Sequence, residues 1–76
     1  MSWLHHWRYQ AMPDADGYLE VHEVYVDRPH WWSWPRLSWT ADAVVPFGGD
    51  KAELERDLRR MLRDVRRFPV LDQPHD

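Results

Sequence analysis

The 76-residue chain contains no cysteine. That excludes disulfides, thiolate-held zinc and a cysteine nucleophile. No stretch approaches the ~20 consecutive apolar residues that a membrane-spanning helix needs. No basic start followed by an apolar run and a small-residue cleavage site marks a signal peptide, so a cytoplasmic location is expected. A glycine-rich phosphate loop, a His-Glu-x-x-His helix and a nucleophile elbow are also missing. There are no internal repeats, and no linker is long enough to divide domains. The expectation is one small domain over residues 1–76, with residues 73–76 frayed. A chain this short buries only roughly 60% of its unfolded surface and has little volume for a closed pocket. It reads as a non-enzymatic protein with no cofactor and no small-molecule substrate.

What is present is one strong periodic signal. Residues 50–68 read DKAELERDLRRMLRDVRRF. Leu54, Leu58, Met61, Leu62, Val65 and Phe68 recur at spacings of three and four, which places them on one side of a helix. Asp50 suits the N-cap and Glu53 completes a capping box. Pro69 ends the helix, because it lacks an amide donor and fixes its own φ. Acidic side chains lead and arginines follow, in the order the helix dipole favours. Glu55–Arg59 and Arg60–Asp64 offer i,i+4 ion pairs.

The preceding residues alternate as strands do. Trp3, His5, Trp7, Tyr9 and Ala11 form one set and Leu4, His6, Arg8 and Gln10 the other, with the odd set expected inward. The sequence MPDADG at 12–17 is a turn. Residues 18–26, YLEVHEVYV, carry apolar groups on both faces, the pattern of a central strand. Leu37, Trp39 and Ala41 suggest a third strand, and Val44, Val45 and Phe47 are expected to pack a connection down toward the helix. Gly48 and Gly49 would supply the backbone freedom for the sharp bend before the cap. The predicted fold is α+β, β-β-β-α: a three-stranded antiparallel meander covered on one face by a C-terminal amphipathic helix.

Several segments taken together resemble a group of short bacterial proteins of unknown function. They are HEVYVD at 22–27, Trp39–Thr40, PFG at 46–48, DLRRML at 57–62 and PVLD at 69–72. The resemblance covers about residues 18–72. It implies the same fold and brings no activity. The departure is RPHWWSWPR at 28–36, where a short polar glycine-containing hairpin would be expected. A looser likeness is to small antitoxin-like β-β-β-α domains.

Three candidate sites follow from side-chain chemistry. Trp31, Trp32 and Trp34 crowd a proline-flanked stretch, and tryptophan is over-represented in interface hot spots. Together with Tyr18, Val24 and Val26 on an uncovered sheet face, they would form a protein interface, and a homodimer would satisfy both needs. Arg56, Arg59, Arg60, Arg63, Arg66 and Arg67 make a basic helix, and phosphates of a nucleic acid would neutralise it. Net charge is -3, with +3 on residues 51–67 and -4 on residues 1–50. Internal compensation is therefore the plainer reading of the basic helix. Finally, pairing of the first two strands would bring His6 near His22 and Glu20, a set suited to a divalent metal. Each histidine is more simply a hydrogen-bonded strand residue.

Overall fold

The structure, a computed structural model, describes residues 4–72. Trp3 and residues 73–76, together with the side chain of His5, lie outside the described residues. The elements are β1 (Leu4–Pro13), β2 (Leu19–Arg28), β3 (Arg36–Trp39) and α1 (Lys51–Arg67). They form one antiparallel sheet in the order β1-β2-β3, followed by the helix, as the alternation predicts.

The β1–β2 hairpin is the longest paired unit of the sheet. Pro13 pairs with Leu19 at its closed end and Leu4 with Arg28 at its open end. Asp14 shapes the turn: its Oδ1 accepts from the amides of Asp16 (2.8 Å) and Tyr18 (2.9 Å). Gly17 supplies the φ of 90° that an L side chain would resist. β1 thus runs through Met12 and Pro13, which the turn-forming composition of 12–17 places in the loop. That extension is decisive for the core, because Met12 and Val24 are completely buried.

Burial corrects the expected polarity of β1. Tyr9 and Ala11 of the odd set are buried, but so are Gln10 and Met12 of the even set. On β2 the even set is the deeper one: His22, Val24 and Val26 are buried, while Val21, Glu23 and Tyr25 are half-buried. The even faces of the two strands lie opposite each other, Gln10 against His22 and Arg8 against Val24.

β3 is short and exposed along its length. Its hydrogen-bonding role outlasts it, since the amides of Thr40 and Val44 donate to the carbonyls of Glu23 (3.1 Å) and Val21 (2.8 Å). The connection that follows does not bury its apolar residues. Val45 and Phe47 are 76% and 78% exposed, against the expectation that they pack it down. Gly48 is needed for room: a Cβ there would strike the Leu54 amide nitrogen. Asp50 caps α1 by accepting from Glu53 N (2.8 Å), and the Glu53 carboxylate reaches back to the Gly49 amide (2.8 Å), one residue beyond the usual capping-box donor.

α1 meets the sheet through β1. The residues that turn toward it are Asp57, Met61, Asp64 and Phe68, spaced four, three and four. Only Met61 and Asp64 are buried. The expected apolar seam is therefore rotated: Leu54 and Val65 are half-buried, while Leu58 and Leu62 are 47% and 51% exposed. The cause is polar. The outer edge of β1 carries an unpaired amide at Tyr9, and Asp64 Oδ2 accepts from it at 3.1 Å. Beyond the helix, the Leu71 amide donates to the Ala11 carbonyl (2.9 Å) and Gln10 Nε2 to the Pro69 carbonyl (2.8 Å). Helix and tail together close a strand edge that would otherwise be open to pairing.

Candidate functional site

The loop between β2 and β3 is built to display aromatic rings. Pro29 and Pro35 bracket it. Inside, Ser33 ties a turn: its amide and hydroxyl both donate to the His30 carbonyl (3.0 and 2.8 Å), and its Oγ accepts from the His30 amide (3.1 Å). The His30 imidazole stacks on Trp32, with centroids 4.8 Å apart and planes 5° from parallel. Trp31, Trp32 and Trp34 are 66%, 67% and 90% exposed. They do not plug the sheet face.

The interface residues named from sequence do not form one patch. Val24 and Val26 are shielded by the chain itself, so they need no second subunit to cover them and offer a partner no surface. Tyr18 is exposed, but it lies in the β1–β2 turn, whereas the tryptophans follow Arg28. The ten residues of β2 separate the two ends, roughly 33 Å at the usual strand rise. β2 alternates as its sequence does, but exposure depends on what packs above each face, which alternation does not encode.

The metal set is also not assembled. His6 pairs with Val26 and Gln10 with His22, so His6 sits four positions along β1 from the residue facing His22. His22 is buried, and its ring nitrogens are taken: Nδ1 lies 2.8 Å from the Thr40 carbonyl and Nε2 2.9 Å from Glu20 Oε1. Among the described residues no group of three or more His, Cys, Asp or Glu side chains could hold a metal ion. His22 is a clasp between β2 and the end of β3.

The six arginines divide. Arg56, Arg59, Arg60 and Arg63 line one groove of about 390 Å³, while Arg66 and Arg67 lie in the last helical turn. Within the groove, Arg59 pairs with Glu55 at 2.6 Å and Arg63 donates to Asp64 Oδ1 at 3.2 Å. Arg60 lies over the Trp7 ring, its Cζ 3.8 Å from the centroid, with its Nε 3.9 Å from Asp64 Oδ2. That separation is an ion pair without a hydrogen bond, and the Arg60 Nε is buried with no hydrogen-bond partner.

Arg56 and Arg60 also border a larger cleft, of about 700 Å³, that sequence reasoning did not anticipate. Its walls are Tyr9, Glu23, Asp57 and the connection through Val44, Val45 and Phe47. The Tyr9 hydroxyl donates to Asp57 Oδ1 at 2.6 Å and the Phe47 amide to Oδ2 at 2.8 Å. These two donors, the phenol first, hold the Asp57 carboxyl below its ordinary range. Burial, then the bond to Asp57, pushes the Tyr9 phenol well above its ordinary value. Tyr25 donates to Glu23 Oε2 at 2.6 Å, and that bond raises its phenol as well. The sequence signal for the cleft is Asp57 itself, a carboxylate inside the helical stripe that faces the sheet.

Comparison of the chain with protein families, curated proteins and solved structures finds no match. No helix among the described residues is long and apolar enough to cross a membrane.

Proposed function

We propose that this chain is a small non-enzymatic interaction module that engages a protein partner through the β2–β3 loop. The observation that carries the reading is the exposure of three neighbouring indoles on a loop ordered by its own hydrogen bonds. An indole left in water forgoes on the order of 2–3 kcal/mol of burial. A pre-shaped loop also spends little conformational entropy on binding. Trp34, the most exposed, is the anchor, and Trp32, backed by the His30 ring, is the rigid second contact. A second copy of the chain is the first partner to test.

The experiment is alanine substitution at Trp34 and at Trp32, with solution mass and partner capture as readouts. Each change should leave the fold intact, because the rings contribute little to the core. Trp34→Ala should weaken association by roughly 2 kcal/mol or more, the loss typical of a hot-spot residue. A folded monomer whose partner capture is unaltered by both substitutions would sink the reading.

A further inference from the structure

We infer that the outer edge of β3 pairs antiparallel with the same strand of a second copy of this chain, about a twofold axis through Ser38. This rests on the tryptophan-loop reading and names its partner. The outer border of β1 is occupied at Tyr9 and Ala11, so among the described residues β3 is the border left to pair. Its bonds to β2 decide which groups it offers. The Thr40 amide donates to the Glu23 carbonyl, one step beyond the Val24–Trp39 pair. Bonded and non-bonded pairs alternate along an antiparallel ladder. Arg36 and Ser38 are therefore the residues bonded to β2, and the amides and carbonyls of Leu37 and Trp39 point away from it. Pro35 has no donor, and the chain bends at Ala41 and Asp42. The groups free for pairing at this edge are those of Leu37 and Trp39.

One twofold register uses all of them. It sets Leu37 opposite the partner's Trp39 on either side of a central Ser38–Ser38 pair, so every outward amide meets an outward carbonyl. Directly opposite residues share a face, and the partly exposed Leu37 and Trp39 side chains join into one apolar strip. Arg36 meets the partner's Thr40 and not a second arginine. The flanks select a second copy over an unrelated strand. Trp32 and Trp34 stand exposed before β3, and Val45 and Phe47 stand exposed after it. The Val44 amide donates to Val21, two positions along β2 from Glu23, so Val44 sits two strand steps past Thr40. Trp34 and Val44 thus lie on opposite sides of Ser38 at about equal distance along the strand axis. The twofold brings the tryptophan flank of each copy level with the Val45–Phe47 flank of the other. The four residues of β3 alone fall short of the ~800 Å² per partner of a stable interface. Indoles that bury ~150–250 Å² each make up the difference.

Two measurements on the full chain test this. The first is sedimentation from micromolar to millimolar protein, where a concentration-dependent dimer is expected. Leu37→Pro removes the outward donor but no bond to β2, and proline is tolerated at such an edge position. It should weaken the dimer about tenfold more than Leu37→Ala, which loses the side chain and keeps the amide. The second is cross-linking, which does not depend on how the proline variant folds. In this register the two Ser38 Cα atoms form a non-hydrogen-bonded pair about 4.5 Å apart, within the range a disulfide spans. The chain has no other cysteine. Mild oxidation of Ser38→Cys should therefore give a covalent dimer at concentrations where Arg36→Cys, whose copies are offset by about 13 Å along the strands, gives little. A mass that stays at one chain at millimolar protein overturns the inference. So does cross-linking of Arg36→Cys as ready as that of Ser38→Cys, or association of Leu37→Pro as tight as that of Leu37→Ala. If those tests fail while Trp34→Ala still weakens capture of another protein, the strand pairing is wrong and the tryptophan loop remains the interface.

Discussion

The β1–β2 hairpin and the helix are held by different forces. The hairpin buries apolar side chains to completion at Met12 and Val24. The helix turns a mixed stripe to the sheet, buries Met61 and Asp64, and leaves Leu58 and Leu62 half in water. One joint is made by exclusion of water, the other by carboxylates that serve backbone and phenol donors. The lesson is that an amphipathic stripe says a helix packs, but unpaired donors on the strand it meets decide which side it turns.

Substitutions can break this contrast, beginning with the largest effect. Met12→Ala should cost about 3 kcal/mol, since it empties a fully enclosed site; urea denaturation would show it, and a loss under about 1 kcal/mol would refute apolar control of the hairpin. Asp64→Ala should cost about 2 kcal/mol by stranding the buried Tyr9 amide, whereas Asp64→Asn, whose side-chain carbonyl still accepts, should cost less. Equal losses for the two would mean charge rather than edge satisfaction is what matters. Tyr9→Phe should cost about 1.5 kcal/mol at neutral pH, as expected for a bond to a charged acceptor.

Acidification should reproduce part of that loss. The Asp57 carboxyl is held low in the folded state, so its contribution is full above the ordinary carboxylate range. It is lost as the pH falls through the depressed value. In Tyr9→Phe that share of acid sensitivity should shrink, and unchanged acid titration curves for the two proteins would contradict the pairing. Smallest of all, Leu62→Ala should change stability by about 0.5 kcal/mol or less despite lying in the apolar stripe.

Much of the architecture could be read from spacing alone. Element order, antiparallel pairing, the Asp50 cap, the stop at Pro69 and both i,i+4 pairs follow from residues near one another in the chain. What could not be read depends on contacts far apart in sequence. Tyr9 and Asp64 are 55 positions apart, and nothing local announces that one will satisfy the other. The same holds for Met12, whose burial required β1 to outlast its apparent turn. The exposure of the tryptophans accompanies a turn that Ser33 ties to His30, and residue spacing does not announce that turn. The cleft is not legible from spacing, because Phe47 reads as a packing residue, whereas its backbone, not its ring, is what Asp57 holds.

The closed margin along β1 also limits how large an assembly can become. A sheet with two free borders can add neighbours without end, as fibrils do. Here Asp64 and the Leu71 amide occupy one border at Tyr9 and Ala11, and among the described residues no strand lies outside β3 on the other. Strand-to-strand growth can therefore proceed once, joining two copies back to back, and then has nowhere to continue.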